Sequence, residues 1–346
     1  MDSITQALLG ATVQASLLGR WQGRRALLYG AVLGTLPDLD AVIDYGDAVA
    51  EMTYHRGFSH SLFTLSLLAV ALTWLVRRLR PDPGYSGRRL LLTLWLVLIT
   101  HVLLDAFTSY GTQLLWPLTT PPVAWSSVFI IDPLYSLPLL LAVLAGAVFG
   151  LKGRRPRWAP IALTLSSLYL AFTLAGKQMA EHRVDAAMAA AGVHPSQVFS
   201  TPTPFNSLLW RVIALDGDHY YEALVSWFDA DPPELVRLPR HPSLAGALRN
   251  SPQHARLRWF TGGMLRYDEV DRHLLMTDLR LGMTGYHPFR FALAERDGGE
   301  WRLIPAVERW PAERGDMGKL EQLWRRIWTQ QRPIPLAQWA SELQSR

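Results

Sequence analysis

An α-helical integral membrane bundle of about six spans followed by a soluble α+β domain is the fold class this sequence predicts, on three observations. Charge is sparse and bunched over the first half of the 346 residues but mixed throughout the second. The apolar runs of the first half are joined by loops that alternate between basic and nearly uncharged. The second half replaces those runs with short β-rich stretches around Asp/Gly turns. Whole-chain averages, 49% hydrophobic residues and a mean hydropathy of +0.09, conceal the contrast. The expected division is a membrane domain over 1–176 and a second domain over 177–346.

Taken in order, the candidate spans are approximately Ser3–Leu18, Ala26–Ile43, Phe58–Val76, Leu90–Phe107, Pro133–Leu151 and Trp158–Ala175. The first two are the weakest, because Thr5, Gln6, Gln14 and the Pro37-Asp38 pair interrupt them. They read as half-buried or re-entrant helices, which need protein or water over their polar groups. Arg20, Arg24 and Arg25 follow the first run; Arg77, Arg78, Arg80, Arg88 and Arg89 follow the third; Lys152, Arg154, Arg155 and Arg157 follow the fifth. The alternate loops, Asp44–Gly57 and Thr108–Asp132, hold a single basic residue, Arg56. The positive-inside rule then makes the odd loops cytoplasmic and puts the N-terminus and the second domain on the outer side. The N-terminus lacks the basic region and small-residue cleavage site of a cleaved signal, so the spans themselves are expected to direct insertion.

After Gly176, Glu181–Ala191 reads as a helix and the proline-rich stretch Pro195–Pro204 as a loop. Leu208–Leu215 and Tyr220–Phe228 flank Asp216-Gly217-Asp218 as a hairpin. His273–Leu281 and Phe289–Glu295 are further strands, and Asp297-Gly298-Gly299 turns into Trp301–Val307. Lys319–Thr329 and Leu336–Gln344 close the chain as amphipathic helices. The seven histidines of this half, at 182, 194, 219, 241, 254, 273 and 287, show no metal-ligand spacing and read as solvated or core side chains.

A net charge of +5 and a pI near 9.6 do not point to nucleic acid, because the basic residues of the first half sit in short interhelical loops. The absence of cysteine excludes disulfides, thiolate ligands and a thiol nucleophile.

The chemistry lies at the outer ends of the apolar runs. His101 and Asp105 are four residues apart, on one face of a helix, inside an apolar run where ionisable groups are costly and usually functional. Asp38 and Asp40 end the second run; His55, Arg56 and His60 precede the third. Imidazoles and carboxylates gathered at one depth are ligands suited to zinc or another divalent ion, manganese or magnesium included. The candidate metal ligands are Asp38, His55, His60, His101 and Asp105. Asp40 is the candidate proton acceptor and Arg56 the candidate anion binder, with the ion lowering the pKa of water. Asp132 before Pro133 reads first as a helix N-cap. Thr108–Thr112 either supplies hydroxyls to the site or ends the fourth helix at Gly111.

These pieces, in order, resemble the YdjM family of bacterial and archaeal inner-membrane proteins, described as metal-dependent hydrolases. The shared features are Met1–Gly10, Pro37-Asp38-Leu39-Asp40, His55 through Ser61, His101 through Asp105, Thr108 through Thr112 and Ile131 through Tyr135. The resemblance covers roughly residues 1–175 and implies a multi-pass inner-membrane protein with hydrolase activity. Many members carry His where this chain has Gln6, a poorer ligand, so Gln6 is left out of the ligand set. The His-x-x-x-Asp pair is also similar to that of zinc-dependent phospholipases C, which favours a phosphoester, lipid or lipid-linked substrate at the outer leaflet. The competing classes are a cation- or proton-linked transporter and a membrane-anchored scaffold with a structural metal.

Overall fold

In a computed structural model that describes every residue except 153–156, 312–316, 332 and 342–346, ten helices and eight strands are found among the described residues. Arg154 and Arg155 of the basic fifth loop, and residues 342–344 of the closing helix, lie outside that description. The helices are α1 (Ser3–Gln22), α2 (Arg25–Thr35), α3 (Ala48–Tyr54), α4 (Leu62–Leu79), α5 (Gly87–Ala106), α6 (Pro133–Phe149) and α7 (Trp158–Ala190), then α8 (Pro252–Thr261), α9 (Met317–Trp328) and α10 (Leu336–Ser341). The strands are β1 (Gln197–Pro202), β2 (Leu209–Asp216), β3 (His219–Ser226), β4 (Val236–Pro239), β5 (Leu265–Val270), β6 (His273–Asp278), β7 (Arg290–Asp297) and β8 (Glu300–Leu303). Two compact units result. The first comprises Met1–Ile43, His55–Trp125 and Ile130–Phe172; the second comprises Asp44–Tyr54, Ser126–Phe129 and Thr173–Arg346.

In the first unit, Asp2 caps α1 by accepting from the amides of Ile4 and Thr5. α1 and α2 approach backbone to backbone. A Cβ on Gly10 would lie 2.3 Å from the Gly30 carbonyl oxygen, and one on Gly34 would lie 2.7 Å from that of Gln6. Gly30 and Gly34 form a small-xxx-small stripe, the spacing that lets apolar helices pack closely. Pro37 has no amide hydrogen to continue α2, so the chain tightens into a 3-10 turn over Leu36–Val42.

Three helices among the described residues are long and apolar enough to cross a membrane: α4, α5 and α7. α6 is a shorter apolar helix. Much of α4 and α6 is bare hydrocarbon, with Leu67, Trp74, Leu141 and Phe149 all exposed. Of the about six expected spans, three correspond to such helices among the described residues and the others are not confirmed. α1 buries the polar side chains of Thr5, Gln6, Thr12 and Gln14 against protein. α2, at 11 residues, reaches about 16 Å, against roughly 30 Å of bilayer hydrocarbon.

Trp158–Ala190 is one continuous helix of 33 residues, rather than a span ending at Ala175 and a separate helix from Glu181. The glycine that suggested a boundary, Gly176, makes room for an indole: a Cβ there would lie 2.9 Å from Trp210.

The second unit holds two four-stranded antiparallel sheets, ordered β1-β2-β3-β4 and β5-β6-β7-β8. The hairpins at Gly217 and at Gly298-Gly299 form where expected, with positive φ at each of those glycines. The β5–β6 hairpin was not foreseen, because its turn residues are Asp271 and Arg272, both at positive φ without glycine. The proline-rich stretch expected as a loop contains β1, an edge strand, where proline is tolerated.

Charged side chains are fully buried in this unit. Arg211 donates from Nε to Glu222 Oε1 at 2.9 Å and from Nη2 to Oε2 at 3.0 Å. Its Nη1 donates to the Leu279 carbonyl at 2.7 Å. His287 is also fully buried, and its Nδ1 bonds the Leu281 carbonyl at 2.9 Å. Burial, reinforced by the Arg211 charge, holds His287 well below the usual imidazole range and keeps it neutral.

A base depressed in the fold gives stability that is complete above its unfolded pKa and is lost as pH falls toward the folded one. The melting temperature of the purified protein should therefore drop below pH 6.5, with His287 contributing up to about 3–5 °C per pH unit. Differential scanning fluorimetry from pH 7.5 to 5 should show a shallower decline for His287→Asn. Parallel declines in the two proteins would refute the assignment.

Candidate metal centre

The 3-10 turn after α2 carries Asp38 and Asp40, a second short turn over Phe58–His60 carries His60, and the last turns of α5 carry His101 and Asp105. Asp38, His60, His101 and Asp105 each offer one donor atom, and these atoms all lie within 4.8 Å of one another. His60 Nε2 is 3.1 Å from Asp105 Oδ2 and 3.4 Å from Asp38 Oδ1. His101 Nε2 is 3.4 Å from each of those oxygens and 3.3 Å from His60 Nε2. Donors placed 2.0–2.1 Å from a tetrahedral zinc ion are about 3.3–3.4 Å apart, the edge length of that tetrahedron. These five donor spacings are close to that edge, and the sixth pair, Asp38 with Asp105, lies within 4.8 Å. His60, His101 and Asp105 are almost completely buried, whereas the Asp38 side chain is 18% exposed and marks the open side of the group.

Hydrogen bonds aim the lone pairs inward. His101 Nδ1 bonds the Gly34 carbonyl at 2.6 Å, which places the ring hydrogen on Nδ1 and leaves Nε2 bare. Ser59 donates its hydroxyl hydrogen to Asp40 Oδ2 at 2.6 Å, so its oxygen accepts from His60 Nδ1 at 2.9 Å. His60 Nε2 is then bare as well. Asp105 Oδ1 accepts from Gln6 Nε2 at 3.0 Å and from the Met1 amino group, and it pairs with Arg56 Nη2 at 3.2 Å. Asp105 Oδ2 has no hydrogen-bond partner although it is buried. An orphaned carboxylate oxygen facing two bare imidazole nitrogens fits a divalent cation.

The remaining candidates stand beside this group. His55 is not among the four donors; its Nδ1 meets Asp40 Oδ1 at 3.0 Å, and its side chain is 25% exposed. Asp40 accepts from His55, Ser59 and the Arg56 amide, the last at 3.0 Å, so its two oxygens are committed to orienting neighbours. Arg56 has φ +61°, a strained value for a residue with a side chain. Its Nη1 donates to Thr108 Oγ1 at 3.2 Å, its guanidinium lies 5.1 Å from the Tyr110 ring centre, and its Nε has no hydrogen-bond partner. Thr108 and Tyr110 thus line the site, while the helix itself ends at Ala106. Asp132 caps α6 through the amides of Leu134 and Tyr135 and accepts from Tyr169 at 2.8 Å, which fits the capping role.

Sequence reasoning missed three supports. Ser59 was legible as the residue beside His60 within a motif already singled out. Gln6 was discounted as a ligand and supports Asp105 instead. The Gly34 carbonyl had no sequence signal at all.

Fold and site together define a helical membrane protein with a largely buried group of two histidines and two carboxylates that could hold a metal ion. The chain belongs to the YdjM inner membrane protein family, whose model matches residues 1–180. It is also similar to the uncharacterized protein YfhP of Bacillus subtilis (strain 168), with 27% identity over 152 residues. That match covers 42% of this chain and 42% of the relative, so it spans well under half of either protein. No solved structure matches the chain.

Removing an outer support of a ligand imidazole costs about 10–100-fold in metal affinity. Ser59→Ala should show that loss in a chelator-competition titration with zinc, with helical content unchanged. Unchanged affinity would mean that the Asp40–Ser59–His60 chain does not orient the ring.

Proposed function

We propose that this protein is a membrane-embedded, metal-dependent hydrolase acting on a phosphoester carried by a lipid or lipid-linked substrate at the outer leaflet. The observation that carries the reading is that His60 Nε2 and His101 Nε2 lie 3.1–3.4 Å from each other and from oxygens of Asp38 and Asp105. Those residues would hold the ion, zinc being the best fit to two imidazoles and two carboxylates. A divalent ion supplies Lewis-acid charge and acidifies water to near neutrality.

The chain's own groups account for the rest. The Gly34 carbonyl and the Asp40–Ser59 pair hold the two ligand rings in one tautomer, so the site needs little reorganisation. Arg56, buried and with Nε unpartnered, is placed to hold an anionic oxygen of the substrate. His55 keeps Nε2 free while Asp40 holds Nδ1, and it is partly exposed. That arrangement suits His55 to move the proton, with Asp40 orienting it, better than it suits Asp40 as the proton acceptor. Leu39, Val42, Ile43 and Phe58 are exposed apolar side chains around the same end of the unit, which supports a substrate entering from the bilayer.

The outward orientation rests on the basic loops at the opposite ends of these helices. The chain has no cysteine, so Thr119→Cys introduces a single thiol in the loop after α5. A membrane-impermeant maleimide should label it in intact cells; labelling only after lysis would reverse the topology.

Elemental mass spectrometry of detergent-purified protein should find about one equivalent of zinc or manganese, absent from a His101→Ala/Asp105→Ala variant. His55→Ala should keep the metal and lose about 100–10,000-fold in phosphodiesterase turnover. Loss of metal from His55→Ala would make it a ligand. A wild type that stays metal-free on reconstitution would end the hydrolase reading.

A further inference from the structure

A cavity in the first unit lies at the end away from the metal centre. It measures about 1150 Å³ and is lined by the end of α1, the start of α2, the end of α4, the start of α5 and the end of α6. Leu90, which lines it, and Asp105 of the metal centre stand on the same helix, α5. Their separation along that helix is about 22 Å.

Its walls are of two kinds. Val76, Leu90, Leu94, Phe149 and Leu151 give an apolar lining suited to acyl chain. Arg24, Arg25, Arg80 and Lys152 bring four cations against one carboxylate, Asp82. Arg24 is already committed to the Ala147 and Val148 carbonyls at 2.6 and 2.8 Å. Arg25, Arg80 and Lys152 are exposed and have no ion pair among the described residues. Asp82 does not neutralise them; its Oδ1 accepts from the Gly84 amide at 2.7 Å. Deeper in the wall stands Gln14, 1% exposed. It donates to Gln22 at 2.9 Å, and its Oε1 has no hydrogen-bond partner. An apolar slot, three uncommitted cations and an orphaned acceptor describe a ligand with acyl chains, a phosphate and a hydroxyl donor.

We propose that this cavity is a binding site for an anionic phospholipid with a hydroxylated headgroup, of which phosphatidylglycerol is the simplest case. The phosphate lies among Arg25, Arg80 and Lys152, the headgroup hydroxyl meets Gln14, and an acyl chain runs along the α4–α5 side. Basic pockets between membrane helices recognise anionic headgroups in this way. The site is independent of the hydrolytic centre and has its own cations, so neither reading requires the other.

The test is native mass spectrometry of the full-length protein in detergent, with added phosphatidylglycerol or phosphatidylcholine of identical acyl chains. Wild type should retain phosphatidylglycerol at least about tenfold better, as expected when several cations each contribute to the headgroup. Arg25→Gln/Arg80→Gln/Lys152→Gln should lower that affinity on the order of 100-fold, while zinc content and monodispersity stay at wild-type values. Gln14→Leu should cost about fivefold, the worth of one hydrogen bond. Equal retention of the two lipids, or an unaltered preference in the triple variant, would overturn the proposal. Displacement of the lipid by millimolar inorganic phosphate would show a site for the free ion instead.

Discussion

A carboxylate buried away from bulk solvent is the constraint from which the first unit follows. Asp105 is completely buried near the end of an apolar helix, where an uncompensated charge is strongly unfavourable. Arg56, Gln6 and the Met1 amino group meet one oxygen, and His60 and His101 face the other. Satisfying that single group draws the start of α1, the strained residue before Gly57 and the turn before α4 to the end of α5. The oxygen left without a hydrogen bond belongs to a group that could hold a metal ion.

The histidines depend on backbone packing as much as on their own chemistry. Gly34 presents its carbonyl to His101 because α1 and α2 touch at Gly10, Gly30 and Gly34 with no room for a methyl group. A side chain at any of the three would push α2 outward and move the acceptor that fixes the His101 tautomer. Close helix contact and ligand geometry are therefore one arrangement. Asp40 plays the matching part on the other side, where its oxygens hold Ser59 and His55 and set the strained Arg56 backbone. His60, His101 and Asp105 are held by partners in three different segments, which leaves them little freedom to turn away from the common centre.

Much was legible in residue order alone. The His101–Asp105 spacing places both on one helix face whatever surrounds them, because helical periodicity is local. The glycine turns at 217 and 298–299 are legible for the same reason: positive φ is a local steric matter. So were the change of character between the two halves and the family resemblance, and with them four of the five candidate ligands that share the donor group.

What only the tertiary structure decided are relations between distant segments. Whether His55 faces the donor group or Asp40 depends on how two short turns pack, and an imidazole serves in either place. Gly176 reads as a boundary until Trp210, from a strand far along the chain, is found against it. The polar interruptions of apolar run 1 are explained only when α1 is seen burying Thr5, Gln6, Thr12 and Gln14 and meeting α2 at their glycines. Sequence by itself determined which chemical groups exist and their local spacing, since both are set by covalent order and backbone sterics. Burial, tautomer and the choice among equivalent partners came from packing, because each is the outcome of competition among groups that the chain brings together only when folded.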